Sequence, residues 1–404
     1  MPVDERKARL RNTSDILRIA RVISFLGIAL CIYANSASAR QLPERFEYHP
    51  LDSLQRPSGV AARLALDVST ILGKTPVLDR TLIESAERLV TNPKLTARDA
   101  MRASGASDAF ALPLRYRTAL EPTLKPVLHM LRTEVKNARV SHFGIAVRQD
   151  NDGFYVALLF VRRGASIGRF PTHFELGQQY VIDGRLASGL DEPRLLIASP
   201  DAAVREFKPR HSHGIFWTHI SFNRGPGRYI LEVQAKDEFG VQVLNLMEIY
   251  ASEPGTPRQV PIVRLRPPES LPATAEVAAS RAIKLVNRSR RNHHLPPLRL
   301  SNALAREAEK HAADMAMSGF FGHESPHRGG LAKRLGKTRL TLALENIAIG
   351  LSPDTVHAEL LRSPSHLRNI LDPGVTHIGI GAYRRTVGDS QPVYTFSQIF
   401  GRFH

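Results

Sequence analysis

Phe320-Phe321-Gly322-His323-Glu324-Ser325-Pro326, Glu345-Asn346-Ile347-Ala348 and Ser363-Pro364-Ser365-His366-Leu367-Arg368-Asn369-Ile370-Leu371 follow one another near the end of this 404-residue chain. Each word carries one side chain fit to bind an ion or move a proton: His323, Glu345 and His366. They stand 22 and 21 residues apart, so only a folded core can bring them together. Pro326 and the pair Gly329-Gly330 keep the first word irregular, as expected of a loop that carries function. Ser363-Pro364, like Ser352-Pro353 before it, sets an N-cap ahead of a proline at the first helical position, which places His366 in the first turn of a short helix. A positive helix end lowers an imidazole pKa and favours the neutral form, the one that ligates a metal or accepts a proton. Strand-like runs follow at 375–383 and 394–401.

Upstream, the stretch 275–291 reads as a helix with Ala278, Ala282 and Leu285 on one face and Val286 beside them. Ser301 is the expected N-cap of a second helix whose Leu304, Ala308, His311 and Met315 share a face, and Gly319 ends it. On that face His311 is expected to be a core histidine. Pro326 between His323 and His327 argues against a helical metal pair there.

This order of helices, site words and strands resembles the bacterial branch of the CAP superfamily (cysteine-rich secretory, antigen 5 and pathogenesis-related proteins; the SCP-like domain), over residues 276–404. The resemblance implies an α-β-α sandwich in whose central cleft His323, Glu345 and His366 converge. Two imidazoles and a carboxylate can hold Zn²⁺ or another divalent metal, with His323 and His366 as ligands, a water in the open position and Glu345 as the catalytic base. They can equally floor a ligand-binding cleft. Two departures from the pattern weigh against catalysis more than against binding. Leu360 stands where bacterial relatives commonly carry tryptophan, and the second acid of eukaryotic members has no counterpart, Glu359 being offset along its helix. Ser363 and Ser365 beside His366 do not make a serine hydrolase: there is no Gly-x-Ser-x-Gly elbow, and Ser363 reads as a cap.

The N-terminus reads as a secretory signal. Six basic residues up to Arg21 precede an apolar run at 22–34 and the small-residue stretch Asn35-Ser36-Ala37-Ser38-Ala39, with cleavage expected after Ala39. The alternative is one uncleaved anchor, which would be the only membrane attachment. Cys31, the only cysteine, would leave with the leader, so no disulfide or thiolate site is expected. The formal charge of +17 becomes +14 without residues 1–39, which favours anionic envelope partners. No nucleic-acid-binding motif accompanies the charge, and export makes nucleic acid an unlikely partner.

The expected architecture is therefore α+β and multidomain. After the signal peptide (1–39) come a degenerate α/β CAP-like domain (50–165), an immunoglobulin-like β-sandwich (168–252), a proline-rich linker (253–274) and the CAP domain (275–404). The degenerate domain rests on an echo: Val140-Ser141-His142-Phe143-Gly144-Ile145-Ala146 parallels Val375-Thr376-His377-Ile378-Gly379-Ile380-Gly381, and Leu78, Leu82 and Ala86 are spaced like Leu300, Leu304 and Ala308 on one helical face. His142 and His377 occupy equivalent points of it, which assigns both a structural role. In the sandwich, Glu232 and Gln234 are expected on the wet face opposite Leu231 and Val233, and Trp217 is expected to pack in the core or on a sheet face. The leading functional reading is a secreted or periplasmic protein whose His/Glu cleft binds a small apolar or anionic envelope-derived ligand, with or without a divalent metal. The alternatives are a metal-assisted hydrolase of peptide or envelope polymer and a structural envelope protein.

Overall fold

The computed structural model describes residues 57–73, 76–92, 95–135, 138–256, 272–336, 338–385 and 392–404, together with the short strands Ile23–Ser24 and Arg45–Phe46. The expected leader, apart from Ile23–Ser24, and most of the proline-rich stretch (257–271) lie outside the described residues. No described helix is long and apolar enough to cross a membrane.

In the C-terminal unit the helix Ala275–Asn292 starts at Thr274, whose side chain accepts from Val277 N. The helix Asn302–Ser318 is capped by Ser301 and stops at Gly319 with φ 70°, the left-handed turn that glycine adopts most readily. Between them runs a sheet in the order Arg299–Leu300, His377–Arg385, Val393–Phe403, Leu340–Gly350, parallel only at its first pair. Period-two alternation sends Ile378, Ile380, Phe396 and Phe400 towards the first helix and Ile399 towards the second. Helices therefore cover both faces.

The second helix lies on bare backbone. A Cβ on Gly379 would come within 2.1 Å of Ala305 N, and one on Gly381 within 2.0 Å of Glu309 N. Gly379→Ala must push helix and strand apart and should cost at least the about 1–3 kcal/mol typical of an overpacked core, read as a lowered urea midpoint. An unchanged midpoint would mean that this interface yields more easily than close packing allows.

The N-terminal unit repeats this plan. Its sheet runs Ile23–Ser24, Phe110–Thr118, Gly153–Arg162, His142–Asp150, Val77–Leu78, again parallel only at the Val77–Leu78 strand, and its first strand comes from the expected leader. A Cβ on Gly144 would meet Leu82 C at 2.0 Å, as one on Gly379 would meet Leu304 C at 2.2 Å, so the helix Arg80–Thr91 sits on its sheet as Asn302–Ser318 does. His142 and His377 each hold a hydrogen bond of 2.9 Å between Nδ1 and the preceding hydroxyl, of Ser141 and Thr376 respectively. One detail differs from expectation: Leu78 and Leu300 lie in the short strands Val77–Leu78 and Arg299–Leu300, not on the helices. Matching Leu82 with Leu304 aligns Leu89 with His311, and matching Leu112–Phe160 with Leu344–Phe400 aligns Pro113 with Glu345. At these two aligned points the N-terminal unit carries apolar side chains.

Between the two units, a four-stranded and a five-stranded sheet face each other across one core that includes Phe174, Ile182, Leu195, Phe216, Leu231 and Ile249. The strand Ala165–Ile167 already belongs here, so this unit begins before residue 168. Trp217 is 36% exposed on the outer side of its sheet and lies outside the core. Glu232 and Gln234 contradict the wet-face expectation. Both are buried, Glu232 completely, because the sandwich face that carries them is covered by the C-terminal unit. Leu367 packs there against Ala198 and Ile230, while Leu351 and Val393 join the core of the N-terminal unit.

Candidate functional site

His323 leaves the end of Asn302–Ser318 on a loop seated by the sandwich. Gly322 lies so close to Phe239, at the tip of the Gly227–Asp237/Gly240–Ser252 hairpin, that a Cβ would meet Phe239 Cβ at 2.6 Å. Glu324 N donates to Phe239 O at 3.0 Å. Ser325 closes the turn, its Oγ donating to Asp314 at 2.5 Å and accepting from the backbone of His327 and Arg328. His327 is exposed and forms no pair with His323. His311 is the core histidine the helical face predicted: fully buried, it meets Gly322 O at 3.1 Å through Nε2. Burial above all, only partly offset by Glu345, lowers its pKa to about 4.

Glu345 sits on Leu340–Gly350 with both oxygens engaged. Oε1 accepts from Ser397 Oγ at 2.9 Å, and Oε2 accepts from Arg334 Nη2 at 2.7 Å and from His323 Nδ1 at 3.0 Å. Burial opposes ionisation here, but the hydrogen bond and charge of His323 and the charge of Arg334 outweigh it and hold the carboxyl at about 2. An acid this strong and this fully bonded is a poor proton acceptor near neutrality. Nothing in the sequence singles out Arg334, whose side chain is completely buried.

The neighbouring Asn346 explains the rest of its word. Its Nδ2 donates to His366 O at 3.3 Å, and Asn369 Nδ2 donates to Asn346 Oδ1 at 2.9 Å and to Glu345 O at 3.2 Å. The strand and the helix Pro364–Ile370 are thereby tied at the residue after Glu345.

Ser363 occupies the N-cap position of that helix, but its hydroxyl caps nothing. It bonds instead to the carboxylate of Glu232, from the sandwich, and to His366 Nδ1 at 2.5 Å. His366 has its pKa lowered to about 3, first by burial and then by the proximity of His323. The fall was expected, but its leading cause is desolvation rather than the helix end.

His323 and His366 line one cavity of about 180 Å³ at the junction of all three units. The C-terminal unit supplies Phe321, Ile347 and Leu360, the sandwich Val243 and Leu246, and the N-terminal unit Phe110, Arg98 and Arg162. Glu345 does not line it; it stands behind His323 and holds its ring. Glu359, offset in the sequence, does reach the cavity and lies 3.9 Å from Arg98 and 3.2 Å from Arg362. With Nδ1 of each imidazole tied down, each Nε2 has no hydrogen-bond partner among the described residues and is not sealed from the cavity. No group of three His, Cys, Asp or Glu side chains able to surround a metal occurs among the described residues. The donor set is two imidazole nitrogens, short of the three protein ligands usual at a catalytic zinc.

The cysteine-rich secretory protein family, CAP, matches residues 283–400. The chain is 34% identical over 116 residues to the uncharacterised protein YkwD of Bacillus subtilis, a match covering 28% of this chain and 45% of that relative. It thus spans less than half the length of the curated relative it matches. Among solved structures it is similar to an extracellular SCP-domain protein of Bacillus anthracis, at 22% identity over 55% of this chain and 82% of that one with a TM-score of 0.28. It is also similar to a cysteine-rich secretory protein of Staphylococcus aureus, at 13% identity over 64% and 83% of the two chains with a TM-score of 0.25.

Proposed function

We propose, from the premise that residues 283–400 are a CAP domain, that this chain is an exported binding protein whose cleft seats a small or envelope-derived ligand on His323 and His366. The observation that carries the reading is the pair of imidazoles with tied Nδ1 atoms and open Nε2 atoms on a mostly apolar cavity wall. The neutral Nε2 of His366 accepts a hydrogen bond, so the matching end of the ligand is a hydroxyl or another donor. Arg162 at the N-terminal wall favours an anionic group in the cavity, whereas Arg98 already faces Glu359. A cavity of about 180 Å³ is smaller than the roughly 300–1,000 Å³ of drug-sized sites, so it takes a small molecule or the end of a longer one. Glu345 serves as the anchor of His323 rather than as a base. The sandwich, immunoglobulin-like in this reading, and the CAP-like N-terminal unit are walls of the site. Native mass spectrometry of protein purified from the exported fraction tests this. A retained small molecule is expected, absent from the His323→Ala/His366→Ala double variant; an empty wild type that also fails to bind octanol or octanoate would overturn the reading.

A divalent ion is the second reading, favoured by one observation. Imidazoles whose Nδ1–H is already bonded and whose Nε2 is open are arranged as metal-binding histidines are. His323 and His366 would hold it, and it would supply Lewis-acid chemistry. With two protein donors its affinity is modest. Calorimetry with zinc should give weak binding that disappears in either single His→Ala variant and at acid pH, because a protonated imidazole cannot ligate. Equal binding after removal of His366 would refute the shared site.

A further inference from the structure

Glu232 is a completely buried carboxylate with no cationic partner among the described residues. Isolated burial of such a group is costly, so its contacts are informative. Donors surround it: Gln234 Nε2 at 2.6 Å, the Ser363 hydroxyl, Ser365 N at 3.5 Å and the Ser365 hydroxyl, which also lies 3.4 Å from Ser363 Oγ. With Glu232 ionised, the chain of hydrogen bonds has one consistent polarity. Ser363 has a single proton, which goes to the carboxylate; its oxygen is then an acceptor, and His366 Nδ1 must bring the proton that bridges them. In a serine-hydrolase triad the carboxylate bonds the imidazole nitrogen remote from the serine. Here the carboxylate and the imidazole both bond the same hydroxyl, which orients the ring and occupies the Ser363 oxygen.

We propose that Glu232, on the sandwich strand Gly227–Asp237, is a positioning residue of the cleft: acting through Ser363 Oγ, it holds His366 in the Nδ1–H tautomer with Nε2 open to the ligand. Glu345 does the same for His323 from within the C-terminal unit. The sandwich is thus part of the site. This holds for an organic occupant and for a metal ion alike, and stands even if the cleft binds neither.

The test is the tautomer of His366 read by long-range ¹H–¹⁵N correlation in the full exported chain, assigned with the His366→Ala variant. Wild type should show Nδ1–H in excess of Nε2–H by about tenfold or more, the scale of one hydrogen bond. Glu232→Gln keeps an acceptor for Ser363 and should keep this tautomer. Glu232→Leu removes it, lets the hydroxyl donate to Nδ1, and should invert the ratio. Ser363→Ala, which spares the buried carboxylate, should leave no fixed tautomer. A wild-type ring protonated at Nε2 would overturn the proposal whatever the variants do, as would an unchanged ratio in a folded Glu232→Leu protein.

Discussion

Lowering the pH from 7.5 to 5.5 should strip several kcal/mol from the stability of this protein, well before its ordinary carboxylates titrate. The C-terminal unit holds three histidines that burial, in each case the leading cause, keeps neutral: His311 and His357 with pKa lowered to about 4, and His366 to about 3. Unfolded, each returns to the ordinary value near 6.5. Between that value and the folded ones the unfolded chain binds protons that the native state refuses. The stability these groups contribute is therefore complete above about 6.5 and is lost as the pH falls through the folded values. Each proton is worth up to about 1.4 kcal/mol per pH unit, so three approach about 4 kcal/mol per unit against a total of roughly 5–15 kcal/mol. Glu232 opposes the trend, since burial pushes its carboxyl up, but it is a single group. Glu345 adds its loss only further down, from the usual carboxylate range towards about 2. Urea unfolding at pH 7.5, 6.5 and 5.5 measures the slope. His311→Gln and His357→Gln should each flatten it by one proton, and a stability flat across that range would mean the buried rings accept protons in place.

What the sequence made legible was what depends on neighbours along the chain. The helix caps at Ser301 and Ser352, the stop at Gly319 and the helix start at Pro364 all lie where local rules put them. The echo between Gly144 and Gly379 was readable because a helix resting on bare strand backbone tolerates no side chain at either point. What was not legible depends on which surface meets which. Alternation along Leu231-Glu232-Val233-Gln234 gives two faces but does not say that both are covered, so a buried acid that completes the site resembled a solvated one. Ser363 was correctly placed as a helix start, yet a carboxylate from a unit more than 100 residues away diverts its hydroxyl. Glu345 was recognised by its word, while its role was set by Arg334, one arginine among many in a basic chain.

That pairing carries the largest single-residue effect expected. Glu345→Ala should destabilise the protein by about 3–5 kcal/mol, because it leaves the Arg334 guanidinium fully buried with its nearest carboxylate gone. Glu307 cannot replace it: it lies 3.9 Å from Arg334 Nη1 and already accepts two bonds from Arg328 Nη2, at 2.6 and 2.8 Å. Arg334→Ala should cost a similar amount by stranding the carboxylate, although His323 and Ser397 still donate to it. The double variant Glu345→Met/Arg334→Met, which removes both charges and fills the space, should be markedly more stable than either single variant, since apolar packing can replace a buried pair but cannot neutralise half of one. Its cleft should nevertheless fail, because His323 Nδ1 has lost the acceptor that orients the ring. Denaturant titrations of the three proteins, with ligand or zinc binding measured on each, separate the two consequences. If the double variant binds as wild type does, His323 is oriented by something other than Glu345, and the carboxylate is there for the arginine alone.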